Sequence, residues 1–140
     1  MFKKIFSTIL ILNLTSCPAV VDIDNTVSVY EGNLVLENNQ PANNVILGLT
    51  NTDIETYDSV EFFNSFEDLG VETTSDENGV FSIFHPKNIN NSHLYIKNNE
   101  DYLFQIEVDG EVILTPIIIR PYNADEYEFK YINQRVKKLN

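Results

Sequence analysis

Cysteine is almost missing from this 140-residue chain, because Cys17 is the single one. One thiol cannot form a disulfide within its own chain, and it cannot supply the several thiolates of a structural zinc site. Disulfide frameworks and thiolate metal sites are therefore excluded. The fold must be held together by the burial of apolar side chains.

Basic residues are also scarce. Nine Lys and Arg face 21 Asp and Glu, which gives a formal charge of −12 at pH 7. A chain with this charge repels the phosphates of nucleic acids and the headgroups of anionic lipids. Nucleic acid is therefore not an expected partner, and the acidic composition is interpreted as a means of staying soluble rather than of recognising a basic ligand.

Motifs of catalysis and metal binding are lacking as well. The two histidines, His85 and His93, are predicted to lie in exposed loops, and no Gly-x-Ser-x-Gly nucleophile elbow is present. Asp76 and Asn78 are weak candidates for binding Ca²⁺, but Lys87 occupies the place where an EF-hand has its final Glu. We therefore predict a protein that is not an enzyme, with no catalytic residue, no cofactor and no metal beyond that weak site.

Long apolar runs are absent except near the start of the chain. Residues 5–14 form an apolar stretch of ten residues, which is too short to span a bilayer as a helix. Lys3 and Lys4 precede this stretch, and Leu14-Thr-Ser-Cys17 follows it. A basic start, a short apolar run and small residues before a fixed position are typical of a secretory signal peptide.

The same segment resembles the signal peptide and lipobox of bacterial lipoproteins. The resemblance implies that residues 1–16 are removed and that Cys17 is acylated, with palmitate among its chains, so that the protein is held at a membrane. Loss of Lys3 and Lys4 would change the charge from −12 to −14. We expect a location in the cell envelope, with the outer membrane preferred and its face left open. An ordinary signal peptide with an incidental cysteine is the alternative.

The rest of the chain is divided into a tether at 17–27, a domain at 28–134 and a solvated C-terminal tail at 135–140. Within the domain, short alternating runs are separated by Asn, Asp, Gly and Pro, and no long helix or internal repeat is evident. Hairpin turns are predicted at Asp76–Gly79 and Asp109-Gly110. The pattern predicts seven to nine strands arranged as an antiparallel β-sandwich, located at residues 28–36, 45–50, 71–75, 80–84, 94–97, 102–108, 111–114, 116–120 and 125–132.

Two blocks carry a second resemblance. Tyr30-x-Gly32-x-Leu34 with Gln40-Pro41-Ala42, followed by the Asp76-Glu-Asn-Gly79 hairpin and Phe81, resembles the carboxypeptidase regulatory-like domain. The resemblance implies an all-β, prealbumin-like (transthyretin-like) Greek-key sandwich of about seven strands. The chain departs from that pattern in an insertion, residues 53–72, and in lacking the Gly-Tyr-x-Leu element downstream.

The insertion is the candidate recognition site. It concentrates aromatic residues that either cover the sandwich as core or form an exposed contact surface, namely Tyr57, Phe62, Phe63 and Phe66. The leading hypothesis is a lipid-anchored, non-catalytic envelope module for protein–protein interaction, adhesion or surface assembly, with an envelope protein as partner. The alternative is a lipoprotein that recognises a glycan or Ca²⁺ through residues 53–72.

Overall fold

The computed structural model describes residues 27–58, 67–86, 92–120 and 127–140. No α-helix occurs in these ranges, and thus none that is long and apolar enough to cross a membrane. The described residues form nine strands: β1 (Val27–Val35), β2 (Ile46–Thr50), β3 (Asp68–Thr74), β4 (Val80–Pro86), β5 (His93–Ile96), β6 (Tyr102–Val108), β7 (Glu111–Thr115), β8 (Ile117–Ile118) and β9 (Glu128–Lys138).

The strands form two sheets. The first sheet has the order β4-β1-β9-β6-β7, and the second has the order β3-β2-β5-β8. The predicted all-β sandwich is therefore confirmed. The nine strands of the described residues lie within the seven to nine that the pattern predicts, and exceed the seven or so that the resemblance implies. One pairing differs from the antiparallel prediction, because β1 runs parallel to β9 while the other pairings are antiparallel.

The core lies between the two sheets. Side chains alternate in direction along a strand, so every second residue of β1, β4 and β6 faces inward. Burying each large apolar side chain contributes about 1.5–3 kcal/mol, and both sheets supply such residues. The largest fully buried apolar side chains of this core are Tyr30, Leu34, Val45, Leu47, Leu49, Leu94, Ile96, Phe104 and Val136.

The last strand is longer than the sequence pattern suggests. The predicted tail at 135–140 is wrong for residues 135–138, because β9 continues to Lys138. Val136 is fully buried and pairs with Phe104 of β6. The pattern is hard to recognise because a register shift between Gly32 and Leu34 interrupts the β1–β9 pairing, and Asn133, opposite that shift, has a positive φ of 50°.

Of the two predicted hairpins, the one at Asp109-Gly110 is confirmed, because β6 pairs with β7. The prediction of a hairpin at Asp76–Gly79 is wrong: a turn is formed there, but β3 pairs with β2 and β4 pairs with β1, so the turn connects the two sheets. Asp109 and Gly110 have φ values of 52° and 83°, as a two-residue hairpin with positive φ at both central positions requires. In the turn that connects β3 to β4, Gly79 has a φ of 75°. We call the end of the sandwich at which β1 begins the proximal end; the β3–β4 turn lies at the opposite, distal end.

Candidate functional site

Of the predicted contact residues, Tyr57 alone lies within the described ranges; Cys17, Phe62, Phe63 and Phe66 lie outside them. Tyr57 is partly buried, and its hydroxyl accepts a hydrogen bond of 3.0 Å from the backbone N–H of Ile119. It packs against a small cluster of Ile54, Tyr95 and Ile117. Burial raises the pKa of this hydroxyl. Tyr57 therefore covers the second sheet as an accessory core, which is the first of the two alternatives considered for it.

Acidic residues of the insertion also have partners within the fold. Lys97 Nζ lies 2.7 Å from Asp68 Oδ2 and 2.7 Å from Glu72 Oε2. The hydrogen bond from Lys97 lowers the pKa of Asp68. Burial and a hydrogen bond to Asp68 raise the pKa of Tyr95 to about 12. These contacts, together with the Tyr57 cluster, occupy much of the outer face of the second sheet.

The weak cation candidates serve a turn. Asp76 Oδ1 accepts hydrogen bonds from the backbone N–H groups of Asn78 (2.9 Å) and Val80 (2.8 Å), which fixes the turn between β3 and β4. No group of three or more His, Cys, Asp or Glu side chains within the described ranges is arranged to hold a metal ion.

The prediction that both histidines are exposed in loops is wrong. His85 lies in β4 and is 6% exposed, and His93 lies in β5 and is 3% exposed. The Nδ1 atom of His93 accepts a hydrogen bond of 2.9 Å from the backbone N–H of Arg120. Burial lowers the pKa of His93, and the positive charge of Arg120 lowers it further. The alternation Phe81, Ile83, His85 was a usable signal, since it places His85 on the inner face of its strand.

A buried polar cluster at the proximal end was not foreseen. The hydroxyl of Tyr30 accepts a hydrogen bond of 3.0 Å from Arg120 Nη1 and lies within hydrogen-bonding reach of both the hydroxyl and the carbonyl oxygen of Ser92. The Arg120 guanidinium lies 4.5 Å from the centre of the Phe129 ring. The cluster ties β1 of the first sheet to the residue before β5 and to the segment after β8 of the second. Its members come from separate strands and loops, so no local motif could have revealed it.

The outer face of the first sheet is much more open. Phe84 is 63% exposed and Val80 is 49% exposed, and both project outward from β4. Val29 of β1 pairs with Phe84, and Val27 continues the same face toward the proximal end. We call Val27, Val29, Val80 and Phe84 the β4 surface. On this face Glu31 and Ser82 lie between Val80 and the other three residues, so Val27, Val29 and Phe84 form its apolar centre on a protein that is otherwise strongly acidic.

The β4 surface adjoins an edge strand of unusual composition. Unprotected strand edges invite pairing with other chains, and proteins commonly blunt them with charges or by making the strand short. Three of the four edges in the described ranges follow this rule: β3 carries Asp68 and Glu72, β7 carries Glu111, and β8 has two residues. By contrast, β4 has seven residues and no Asp, Glu, Lys or Arg. Its single pairing within the described ranges is with β1.

Comparison with known proteins gives no family. No family model matches the chain, and no curated protein matches it. Among solved structures, the chain is similar to a 9R-lipoxygenase from Cyanothece PCC8801, with a TM-score of 0.49 and 18% identity over 78% of this chain and 16% of that one. It is also similar to 3-chlorocatechol 1,2-dioxygenase from Rhodococcus opacus 1CP, with a TM-score of 0.40 and 15% identity over 82% of this chain and 60% of that one. With TM-scores below 0.5, neither protein's activity transfers to this chain.

Proposed function

We propose that this protein is a lipid-anchored, non-catalytic β-sandwich module of the bacterial cell envelope that binds a protein partner along β4. The observation that carries the proposal is Phe84, which is 63% exposed on an edge strand without a charged residue. A large aromatic side chain gains from being covered, and aromatic residues dominate the binding energy of many interfaces.

The expected mode of binding is strand addition. An extended segment of the partner would pair its main chain with β4, while its side chains cover Phe84 and Val80. Val27 and Val29 would widen the apolar contact onto β1, since they share the outer face with Phe84. Main-chain pairing would provide affinity, and the apolar contacts made by Phe84 would provide selectivity.

The proposed anchor at Cys17 fits this geometry. Val27, the first residue of β1, stands ten residues after Cys17. A fully extended chain of that length reaches at most about 35 Å, so the proximal end would stay near the lipid surface. Acidic side chains would keep the sandwich from lying flat on anionic headgroups. The long side of β4 would then be open to a neighbouring envelope protein.

A photocrosslinking experiment tests the binding surface. A photoreactive phenylalanine analogue placed at position 84 should capture one discrete envelope protein in living cells. The matched control is position 112, because Val112 is 62% exposed on β7, the opposite edge of the same sheet. Phe84→Lys should abolish co-purification of the captured protein in mild detergent, and Val112→Lys should leave it intact. Equal capture at both positions, or none at position 84, would refute binding along β4.

A second experiment tests the anchor separately. Mass spectrometry of the native protein should find Cys17 at the mature N-terminus with acyl chains attached. Cys17→Ser should release the protein from the membrane fraction, because a stable anchor depends on the buried methylenes of those chains. An unmodified thiol at Cys17 would overturn the lipoprotein assignment and leave the β4 surface to be judged by crosslinking alone.

A further inference from the structure

A cleft of about 300 Å³ lies toward the distal ends of β1 and β9. It is lined by Val35, Asn39, Asn133 and Arg135. These residues come from the end of β1, the turn that follows it, and the part of β9 beyond the register shift. The volume is at the lower end of the range for small-molecule sites. It is separate from the interaction proposed for β4.

Hydrogen bonds fix the orientation of the Asn133 amide. The backbone N–H of Asn133 donates to Asn33 Oδ1 at 3.0 Å, so that atom must be the oxygen of the Asn33 amide. The Nδ2 atom of Asn33 then donates to Asn133 Oδ1 at 2.8 Å. Asn133 has therefore used its side-chain oxygen within the protein. Its Nδ2 donor makes no hydrogen bond to the described residues.

Arg135 fixes the Asn39 amide in the same way. A guanidinium can only donate, and Arg135 Nη2 lies 3.2 Å from Asn39 Oδ1, while Nη1 donates to the carbonyl oxygen of Glu37 at 3.4 Å. The side-chain oxygen of Asn39 is thus also used, and its Nδ2 remains as a donor. Each of the two amides that line the cleft accepts a hydrogen bond within the protein through its oxygen, whereas its Nδ2 group donates to none of the described residues.

The positive charge of this region, like the amide donors, favours a ligand that accepts hydrogen bonds. Four of the nine Lys and Arg residues of the chain lie in β9. Lys130 and Lys137 have carboxylate partners, at 3.9 Å from Glu31 and 3.7 Å from Glu37. No carboxylate of the described residues lies within 4.0 Å of Arg135, whose bonded partners are neutral oxygens. Its positive charge is therefore uncompensated within the described part of the fold.

We propose that this cleft binds a carboxylate. Two amide donors and a guanidinium suit a planar ligand group that only accepts hydrogen bonds, and arginine pairs with carboxylates in a matching geometry. Val35 supplies an apolar wall for the part of the ligand next to the carboxylate. The carboxylate belongs either to a small organic acid or to the C-terminus of a peptide.

The test is a titration of the full mature protein followed by NMR of the asparagine side-chain amides, at constant ionic strength. Acetate should shift the Nδ2 signals of Asn39 and Asn133, whereas chloride should not. Arg135→Gln should weaken acetate binding about tenfold, since it removes a charge-assisted hydrogen bond. Lys137→Gln removes the same charge from the same strand outside the cleft lining, and it should change binding less than twofold.

A second variant keeps the test independent of folding. Asn39→Asp preserves the acceptor that holds Arg135 and tolerates the positive φ of 62° at this position. It should still abolish acetate binding, because it replaces a donor by a negative charge. A tripeptide with an unmodified C-terminus that binds more tightly than acetate, and loses binding when amidated, would identify a peptide terminus as the source; equal affinities would identify a small acid. Equal weakening by Arg135→Gln and Lys137→Gln, or binding of the amidated peptide, would overturn the proposal.

Discussion

Gly32 and Tyr131 face each other so closely across the parallel β1–β9 pairing that a Cβ on residue 32 would lie 2.0 Å from the carbonyl oxygen of Tyr131. Gly32→Ala should therefore cost at least about 3 kcal/mol of folding free energy, because the obstructing atom belongs to the backbone and cannot rotate away. Urea unfolding followed by circular dichroism measures this loss.

Gly110 serves as a control that separates the cost of a steric clash from the cost of an unfavourable backbone conformation. Gly110 has a φ of 83°, and a Cβ there would meet nothing within 4 Å. Gly110→Ala should cost about 1–2 kcal/mol, the penalty for a left-handed residue with a side chain. If the two variants lost equal stability, close contact between β1 and β9 would not explain why residue 32 is glycine.

The hydrogen bonds of the Tyr30 hydroxyl are expected to contribute more to the free energy of unfolding than an ordinary surface hydrogen bond does. Tyr30→Phe leaves Arg120 Nη1 and the Ser92 hydroxyl without their shared partner at the proximal end. We expect a loss of about 1–3 kcal/mol in thermal or urea unfolding, because buried polar groups left without partners are costly. Tyr102→Phe is the control, since its hydroxyl makes a longer bond of 3.3 Å to the Asn43 carbonyl oxygen, and it should lose less.

Protonation of His93 should destabilise the fold below neutral pH. Burial places the pKa of His93 below its ordinary value of 6.5, so the unfolded chain binds the proton first as the pH falls. The contribution of His93 to the free energy of unfolding should be constant above pH 7 and decline below about pH 6.5. His93→Asn keeps an acceptor for the Arg120 N–H and removes the proton site, so its decline between pH 7 and 5 should be shallower. Identical slopes for the two proteins would contradict this origin.

The end of β9 should contribute to stability although it reads as a basic tail. Val136 is fully buried, and Val136→Ala should cost about 2 kcal/mol through lost contacts and a cavity. Ile132 of the same strand is 77% exposed, and Ile132→Ala should change the free energy of unfolding by less than about 0.5 kcal/mol. A Val136→Ala variant as stable as the parent would restore the view of residues 135–138 as a solvated end.

The predictable parts of the fold are those set by neighbouring residues. Alternation gave the positions of β1, β2, β4, β6 and β7, and the Asp109-Gly110 pair gave its hairpin, because side-chain direction and turn geometry depend on a few adjacent residues. The parallel pairing of β1 with β9 was missed, since it joins segments about a hundred residues apart. The strand start at Asp68 was missed as well, because its acids look like a loop until Lys97 is brought beside them.

Function was less predictable than fold for the same reason. The aromatic residues of the insertion were the obvious contact candidates, yet Tyr57 packs onto the second sheet. The exposure of Phe84 could not be predicted from the sequence, because it depends on whether another element of the fold covers β4. The cleft residues Asn39, Asn133 and Arg135 are ordinary surface types in the sequence. Their orientation follows from the hydrogen bonds of Asn133 to Asn33, and of Arg135 to Asn39 and to the carbonyl oxygen of Glu37.

The central place of β9 in the first sheet governs when the chain can fold. If the protein is exported from its N-terminus, β1 emerges early. It stays unpaired on one side until β9 has also been exported. Until then β4-β1 and β6-β7 are two separate ribbons, each too small to be stable alone. Folding of this sheet is therefore completed only after β9 has been delivered, and a product truncated before Glu128 should be degraded readily by proteases.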